Sequence, residues 1–198
     1  MINKLPKIEL HCHLDGSVRV DTIIDIAKKE NIKLELYEKC DVEKLVQVPN
    51  DCTSLNEYLK RFDLANKVMQ SSENIKRVTF ELLEDAQKEN VKYIEVRFAP
   101  LLHLNGGLSI EEVIQSAIDG ISEAEKMYDI KGNIILCCMR TMSEDDAILV
   151  VEEGKKFLNK GVVAIDLAGP EEEGFVKKYK KAIELARSYG YNITIHAG

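Results

Sequence analysis

His11-Cys12-His13 sets two imidazoles two positions apart in a short apolar segment, Ile8–Leu14, that reads as a strand. Side chains alternate along a strand, so His11 and His13 project from one face and Cys12 from the other. A third histidine, His196, lies at the end of another such segment, Asn192–Ala197. If both strands belong to one barrel, their ends meet at one mouth. Three imidazoles there, at metal–nitrogen distances of about 2.0–2.1 Å, make a zinc-type ligand set with room for a carboxylate and a water. A lone His-x-His equally fits two hydrogen-bonded core histidines; the placement of both the pair and His196 at strand ends favours ligands. Asp15 stands where the chain leaves the first strand, either closing an Asx turn or accepting a hydrogen bond from a polar substrate. Asp166-Leu-Ala-Gly169 ends a further strand, and Gly169 lets a ligand approach the backbone closely. His103, beside Asn105-Gly-Gly107, reads as a plain loop histidine. Glu95 and Arg97 share one strand face and read as a structural ion pair.

The segments that must position these groups are short and rich in Ile and Val: Ile8–Leu14, Tyr93–Ala99, Ile134–Met139, Val162–Leu167 and Asn192–Ala197. Near-continuous apolar runs of this kind are expected of parallel strands covered on both faces. Helical patterns lie between them. Ser109-Ile-Glu-Glu112 is a capping box ahead of Val113, Ile114, Ala117, Ile118 and Ile121, and Ile75, Val78, Leu82, Leu83 and Ala86 form a similar stripe. Ser143 caps a third helix, while Gly161 and Gly190 are placed where helices end. From Tyr93 onward the strand starts recur every ~30–40 residues, the length of a βα unit. The longer interval after the first strand holds extra helices, one opened by Ser54-Leu-Asn-Glu57 and carrying Tyr58, Leu59 and Phe62. A helical insertion at roughly 50–70 lies at the functional rim of a barrel and is expected to act as a lid. A full (β/α)8 barrel takes ~250 residues. The 198 residues supply five strands, so the expectation is one partial barrel domain over 1–198, the N-terminal portion of a longer protein.

Composition narrows the partners. With 45% hydrophobic residues, 31% charged and a net charge of −7, the chain has a core but no basic surface for nucleic acid or anionic membranes. Its longest apolar run, Ile134–Met139, is far short of the ~20 residues of a membrane span, and the start carries no signal-peptide core. Five cysteines without a CxxC pair point to a reducing cytoplasm. The acidic Glu171–Glu173 followed by Lys177, Lys178, Lys180 and Lys181 reads as a solvated face. No GxGxxG follows the first strand, which counts against a doubly wound nucleotide-binding fold.

Taken together, His11-Cys-His-Leu-Asp-Gly16, Glu95-Val-Arg-Phe-Ala-Pro100, Asp166-Leu-Ala-Gly169 and His196-Ala-Gly198 resemble the adenosine deaminase family in order and spacing, and Ile135-Leu-Cys-Cys-Met-Arg140 is similar to its third strand. The resemblance covers essentially the whole chain. It implies a (β/α)8 barrel of the metal-dependent amidohydrolase type, with one zinc ion per chain held by His11, His13 and His196. It also implies that His13 and Asp15 lie at the ribose 5′-hydroxyl, that the Gly169 backbone donates to purine N3, and that Tyr58, Leu59 and Phe62 close over the base. The implied reaction is hydrolytic deamination of adenosine and 2′-deoxyadenosine to the inosines and ammonia, in purine salvage, with no obligatory protein partner. The family's N1 proton donor, a Glu, is expected directly after Gly198, so no catalytic acid–base residue is expected in this chain, and the chain alone is expected to show little turnover. Pro170 stands where the family commonly has an acidic residue. Two alternatives stay open: a deaminase of adenine or a modified aminopurine nucleoside, and a non-catalytic purine-binding half-barrel.

Overall fold

The computed structural model describes residues 4–34, 37–171 and 174–197. Its elements run β1 (Lys7–His13), α1 (Val20–Lys29), α2 (Lys39–Val46), α3 (Leu55–Leu59), α4 (Asp63–Val68), α5 (Ser72–Lys88), β2 (Val91–Phe98), α6 (Ile110–Met127), β3 (Lys131–Met139), α7 (Glu144–Gly154), β4 (Val162–Ala168), α8 (Phe175–Lys178), α9 (Lys180–Tyr189) and β5 (Asn192–Ile195). Short 3₁₀ turns at Lys60–Phe62 and Pro100–His103 link α3 to α4 and follow β2. The strands form one parallel sheet in the order β1-β2-β3-β4-β5.

That sheet is curled. In a flat sheet, strands 4.7–4.9 Å apart would hold β1 and β5 about 19 Å from each other. Instead His13 at the end of β1 and His196 just past β5 bring their ring nitrogens to 3.0 Å. The arrangement is a partial (β/α)8 barrel in which β1 and β5 face one another across the mouth.

The expected caps form. Ser109 and Glu112 make the capping box that starts α6, and Ser143 makes a second one with Asp146 at α7. Ser54 accepts a hydrogen bond from the Glu57 N–H, but α3 lasts only from Leu55 to Leu59 before the chain tightens into the 3₁₀ turn. Gly190, at φ +90°, ends α9 as expected, with the Tyr191 N–H returning to Ala186 O. Gly161 differs: α7 ends at Gly154, and Gly161 instead forms the turn leading into β4.

Helices α5, α6, α7 and α9 pack on the outer face of β2, β3 and β5, burying Ile75, Leu83, Val113, Ile114 and Val150 against the sheet. The expectation of strands covered on both faces holds for β2, β3 and β4 but not for β5, whose residues are exposed or half-buried, nor for β1. Ile8 is 69% and Leu10 53% exposed. Their side of β1 carries no helix among the described residues, because α1, α2 and α4 pack chiefly on one another in the excursion between β1 and β2. At the mouth the inward residues are small: Ala99, Cys137 and Ala168 cluster there. Small side chains at that level leave open volume, where Ile or Leu would have filled it.

Candidate functional site

The cavity at the strand C-terminal ends measures about 550 Å³, within the range of small-molecule sites. His11, His13 and His196 lie in its wall, and their Nε2 atoms stand 3.3 Å (His11–His13), 3.0 Å (His11–His196) and 3.0 Å (His13–His196) apart. Nitrogens bound at about 2.0–2.1 Å to one tetrahedral ion are separated by roughly 3.3–3.4 Å, so the triangle is close to the spacing that a shared ion demands. Among the described residues these three are the group of side chains able to hold a metal. Their protonation is disfavoured. Burial, then the neighbouring His196 and His11 and the Arg97 charge, push His13 down to about 4. Burial and then Arg97 lower His11 as well. Unprotonated imidazoles are the form that ligates metals.

Cys12 faces away, packed against the core with its Sγ 3.5 Å from the Ser17 hydroxyl. Asp15 reaches the cavity and is 9% exposed. Burial pushes its carboxyl up to about 6, against hydrogen bonds from its own N–H and that of Gly16. Its Oδ1 has no hydrogen-bond partner and lies 3.9 Å from His13 Nδ1. Gly169 holds φ +95° at the opposite rim, a conformation that L side chains rarely adopt, and its carbonyl accepts from Arg140 Nη1 at 2.6 Å. Pro170 lines the cavity beside it. Over the opening, Leu55, Tyr58, Leu59 and Phe62 form an apolar cover. Tyr58 and Phe62 pack edge to face at 5.5 Å, and Phe62 lies 5.8 Å from the His13 ring.

Beneath the histidines the structure corrects one sequence expectation. Arg97 does not pair with Glu95; it donates through Nη1 to Asp166 Oδ2 at 3.2 Å and through Nη2 to Leu10 O at 2.9 Å. Glu95 instead accepts from the Tyr93 hydroxyl at 2.8 Å, one layer further down the barrel. The reason is curvature: closing the barrel brings β4 across from β2, and a fully buried carboxylate outcompetes one that water can reach. Asp166 Oδ2 is also 2.6 Å from His196 Nδ1 and 3.5 Å from Cys137 Sγ. Burial alone would raise the Asp166 carboxyl, but His196, the Arg97 charge and the Cys137 thiol hold it at about 2. The sequence showed Asp166 at a strand end; the parity of Arg97, Cys137 and Asp166 along parallel strands was the signal that could have joined them.

A second correction concerns His103. It is not a surface loop residue but fully buried, its Nδ1 3.0 Å from Met69 O and its ring 5.6 Å from Phe98. The end of α4 folds back over the Pro100–His103 turn and covers it. His103 has no place among the cavity-lining groups.

A curled parallel sheet whose strand ends carry three converging imidazoles defines a (β/α)8-barrel protein with its site at the mouth. The sequence model of the adenosine deaminase family matches residues 6–198, and the chain belongs to that family. It is 63% identical over 195 residues to an adenosine deaminase of Clostridium botulinum, covering 98% of this chain and 59% of that relative. Among solved structures, it superposes on a zinc-bound amidohydrolase from Burkholderia ambifaria with TM-score 0.87 and 25% identity, over 100% of this chain and 53% of that one. Arabidopsis ADAL complexed with IMP gives TM-score 0.84 at 30% identity, over 100% of this chain and 59% of that one. The chain thus spans about 59% of the length of the curated relatives it matches.

Proposed function

We propose that this chain carries the metal and nucleoside subsites of a zinc-dependent deaminase acting on adenosine and 2′-deoxyadenosine. The observation that supports this most is the convergence of three Nε2 atoms within 3.3 Å in a strand-end cavity of about 550 Å³. In this reading His11, His13 and His196 hold one zinc ion. A zinc ion there supplies Lewis acidity and a water of pKa near 7 for attack on the ring. The other roles belong to the chain itself. Asp15, with a buried oxygen that lacks a hydrogen-bond partner, accepts a hydrogen bond from the ribose 5′-hydroxyl, which favours a nucleoside over free adenine and, through like-charge repulsion, over a 5′-phosphate. His13 flanks the same position, and the Gly169 N–H donates to purine N3. Leu55, Tyr58, Leu59 and Phe62 exclude water above the base and so strengthen the electrostatics below it. Net, water adds at C6, the C6–N6 bond breaks, and ammonia and inosine leave. The acid that protonates N1 is not assigned to any residue of this chain.

The test is to graft this chain in place of the matching segment of the 63%-identical Clostridium botulinum relative and follow adenosine conversion by ultraviolet absorbance. The expected result is inosine formation that chelation abolishes, slower turnover of AMP and free adenine, and little or no turnover by the 198-residue chain alone. A well-folded, zinc-loaded graft that leaves adenosine unchanged overturns the substrate assignment. Turnover by the chain alone would show that the acid is a residue of this chain.

A further inference from the structure

We propose that Asp166 and Arg97 are positioning residues for the metal: Asp166 holds His196 in the tautomer that turns an unprotonated Nε2 toward His11 and His13, and Arg97 locks Asp166 to the strand carrying those two histidines. The inference rests on the reading of the three histidines as metal ligands.

Hydrogen-bond accounting around one oxygen carries the argument. A carboxylate oxygen only accepts. At 2.6 Å from Asp166 Oδ2, a bare His196 Nδ1 would set lone pair against lone pair, so the close contact, though not aligned as a full hydrogen bond, assigns the proton to Nδ1 and leaves Nε2 with a lone pair in the neutral ring. That Nε2 is the atom lying 3.0 Å from the Nε2 atoms of both other histidines. The same Asp166 oxygen takes Arg97 Nη1 at 3.2 Å and the Cys137 thiol at 3.5 Å. With those contacts in place, and with the carboxyl fully buried, Asp166 has no room to rotate away from His196. Ligand imidazoles backed by a carboxylate keep both tautomer and ring orientation.

Arg97 adds a span. Its second guanidinium nitrogen donates to the carbonyl of Leu10, the residue whose peptide bond leads to His11. One rigid, planar group on β2 thus ties the β1 backbone under the ligand pair to the β4 carboxylate under the third ligand. Strands β1, β2 and β4 are held at a fixed distance by two hydrogen bonds from Arg97, which is 3% exposed. A lysine at this position has a single ammonium on a flexible stem and cannot reproduce the fork.

Two measurements test this. Nitrogen-15 spectra of the histidine rings in the metal-free chain report each tautomer directly. The expected spectrum has His196 protonated on Nδ1 and bare on Nε2; protonation of Nε2 instead overturns the proposal. Competition against a chromophoric chelator then compares zinc affinity in the parent chain, Asp166→Asn, Arg97→Lys and, as a control in the same barrel interior, Tyr93→Phe. Asp166→Asn is expected to bind zinc roughly 10- to 100-fold more weakly, the usual effect of losing a partner behind a ligand. Arg97→Lys should weaken binding in the same direction while keeping the His196 tautomer, and Tyr93→Phe should leave affinity unchanged. Equal affinity in the parent and a folded Asp166→Asn overturns the proposal. If Asp166→Asn does not fold, the parent spectrum still decides. If the parent takes up no zinc, it is the metal reading that fails, and the tautomer still decides the positioning claim.

Discussion

The two ends of the barrel interior treat polar side chains in opposite ways. Toward the strand N-terminal ends, Tyr93, Glu95 and Asn133 satisfy one another: Asn133 Nδ2 donates to the Tyr93 hydroxyl at 3.0 Å, which donates to Glu95 at 2.8 Å. Toward the C-terminal ends, where β1, β4 and β5 supply the inward groups, the accounting does not close. Three Nε2 atoms crowd together, and Asp15 Oδ1 and Asp166 Oδ1 have no hydrogen-bond partner. Buried polar groups are nearly always paired, and unpaired carboxylate oxygens beside three converging imidazoles that line one cavity mark a place where something else is meant to bind. The lower end is built for stability and the upper end for a ligand.

The largest effect that should separate the two ends comes from the ligands. His196→Ala removes one of three nitrogens and is expected to weaken zinc binding by more than the roughly 10- to 100-fold that a supporting partner contributes, with the lower network intact by circular dichroism. Titration with a competing chelator checks it; near-normal affinity in this variant would mean that the upper end is only a polar core.

Histidine itself sharpens the contrast, since His103 is buried without any ligand role. Burial holds it down to about 4, against the hydrogen bond to Met69 O. A histidine whose folded pKa lies below its unfolded value of 6.5 stays neutral in the native state while the unfolded chain takes up a proton. The stability it permits is therefore full above about 6.5 and is lost as pH falls toward 4. The loss from this residue is about 3 kcal/mol by pH 4. Urea melts of the parent and His103→Leu across pH 4–7 should show a shallower acid decline in the variant. Identical slopes would place the acid sensitivity elsewhere.

The smallest effect belongs to the lower end. Tyr93→Phe deletes one hydroxyl from a network that solvent can reach, so Glu95 and Asn133 recover water as partners. The expected cost is about 1 kcal/mol in a denaturant melt, at unchanged zinc affinity. A larger loss, or a change in metal binding, would show that the two ends are coupled.

Much of this was legible in the sequence. The strands announce themselves because Ile and Val are dense in segments bounded by caps, and the observed β3 and β4 contain the expected segments Ile134–Met139 and Val162–Leu167 outright. The histidine cluster followed from parity in β1 and from the strand-end place of His196. What escaped depends on distance through space. Arg97 was matched to Glu95, its neighbour on the same strand, whereas curvature delivers Asp166 from two strands away. His103 was judged by its glycine-rich surroundings, whereas α4 returns to bury it. The exposed outer face of β1 has the same cause: apolar spelling shows what a strand can bury, not which helix arrives to cover it.

The most direct test of the central claim is zinc-edge X-ray absorption on the chain loaded with one equivalent of zinc. The account predicts nitrogen neighbours at about 2.0–2.1 Å with the outer-shell scattering of three imidazoles, reduced to two in His11→Ala. A shell made of oxygen alone, or one indifferent to His11→Ala, would contradict it.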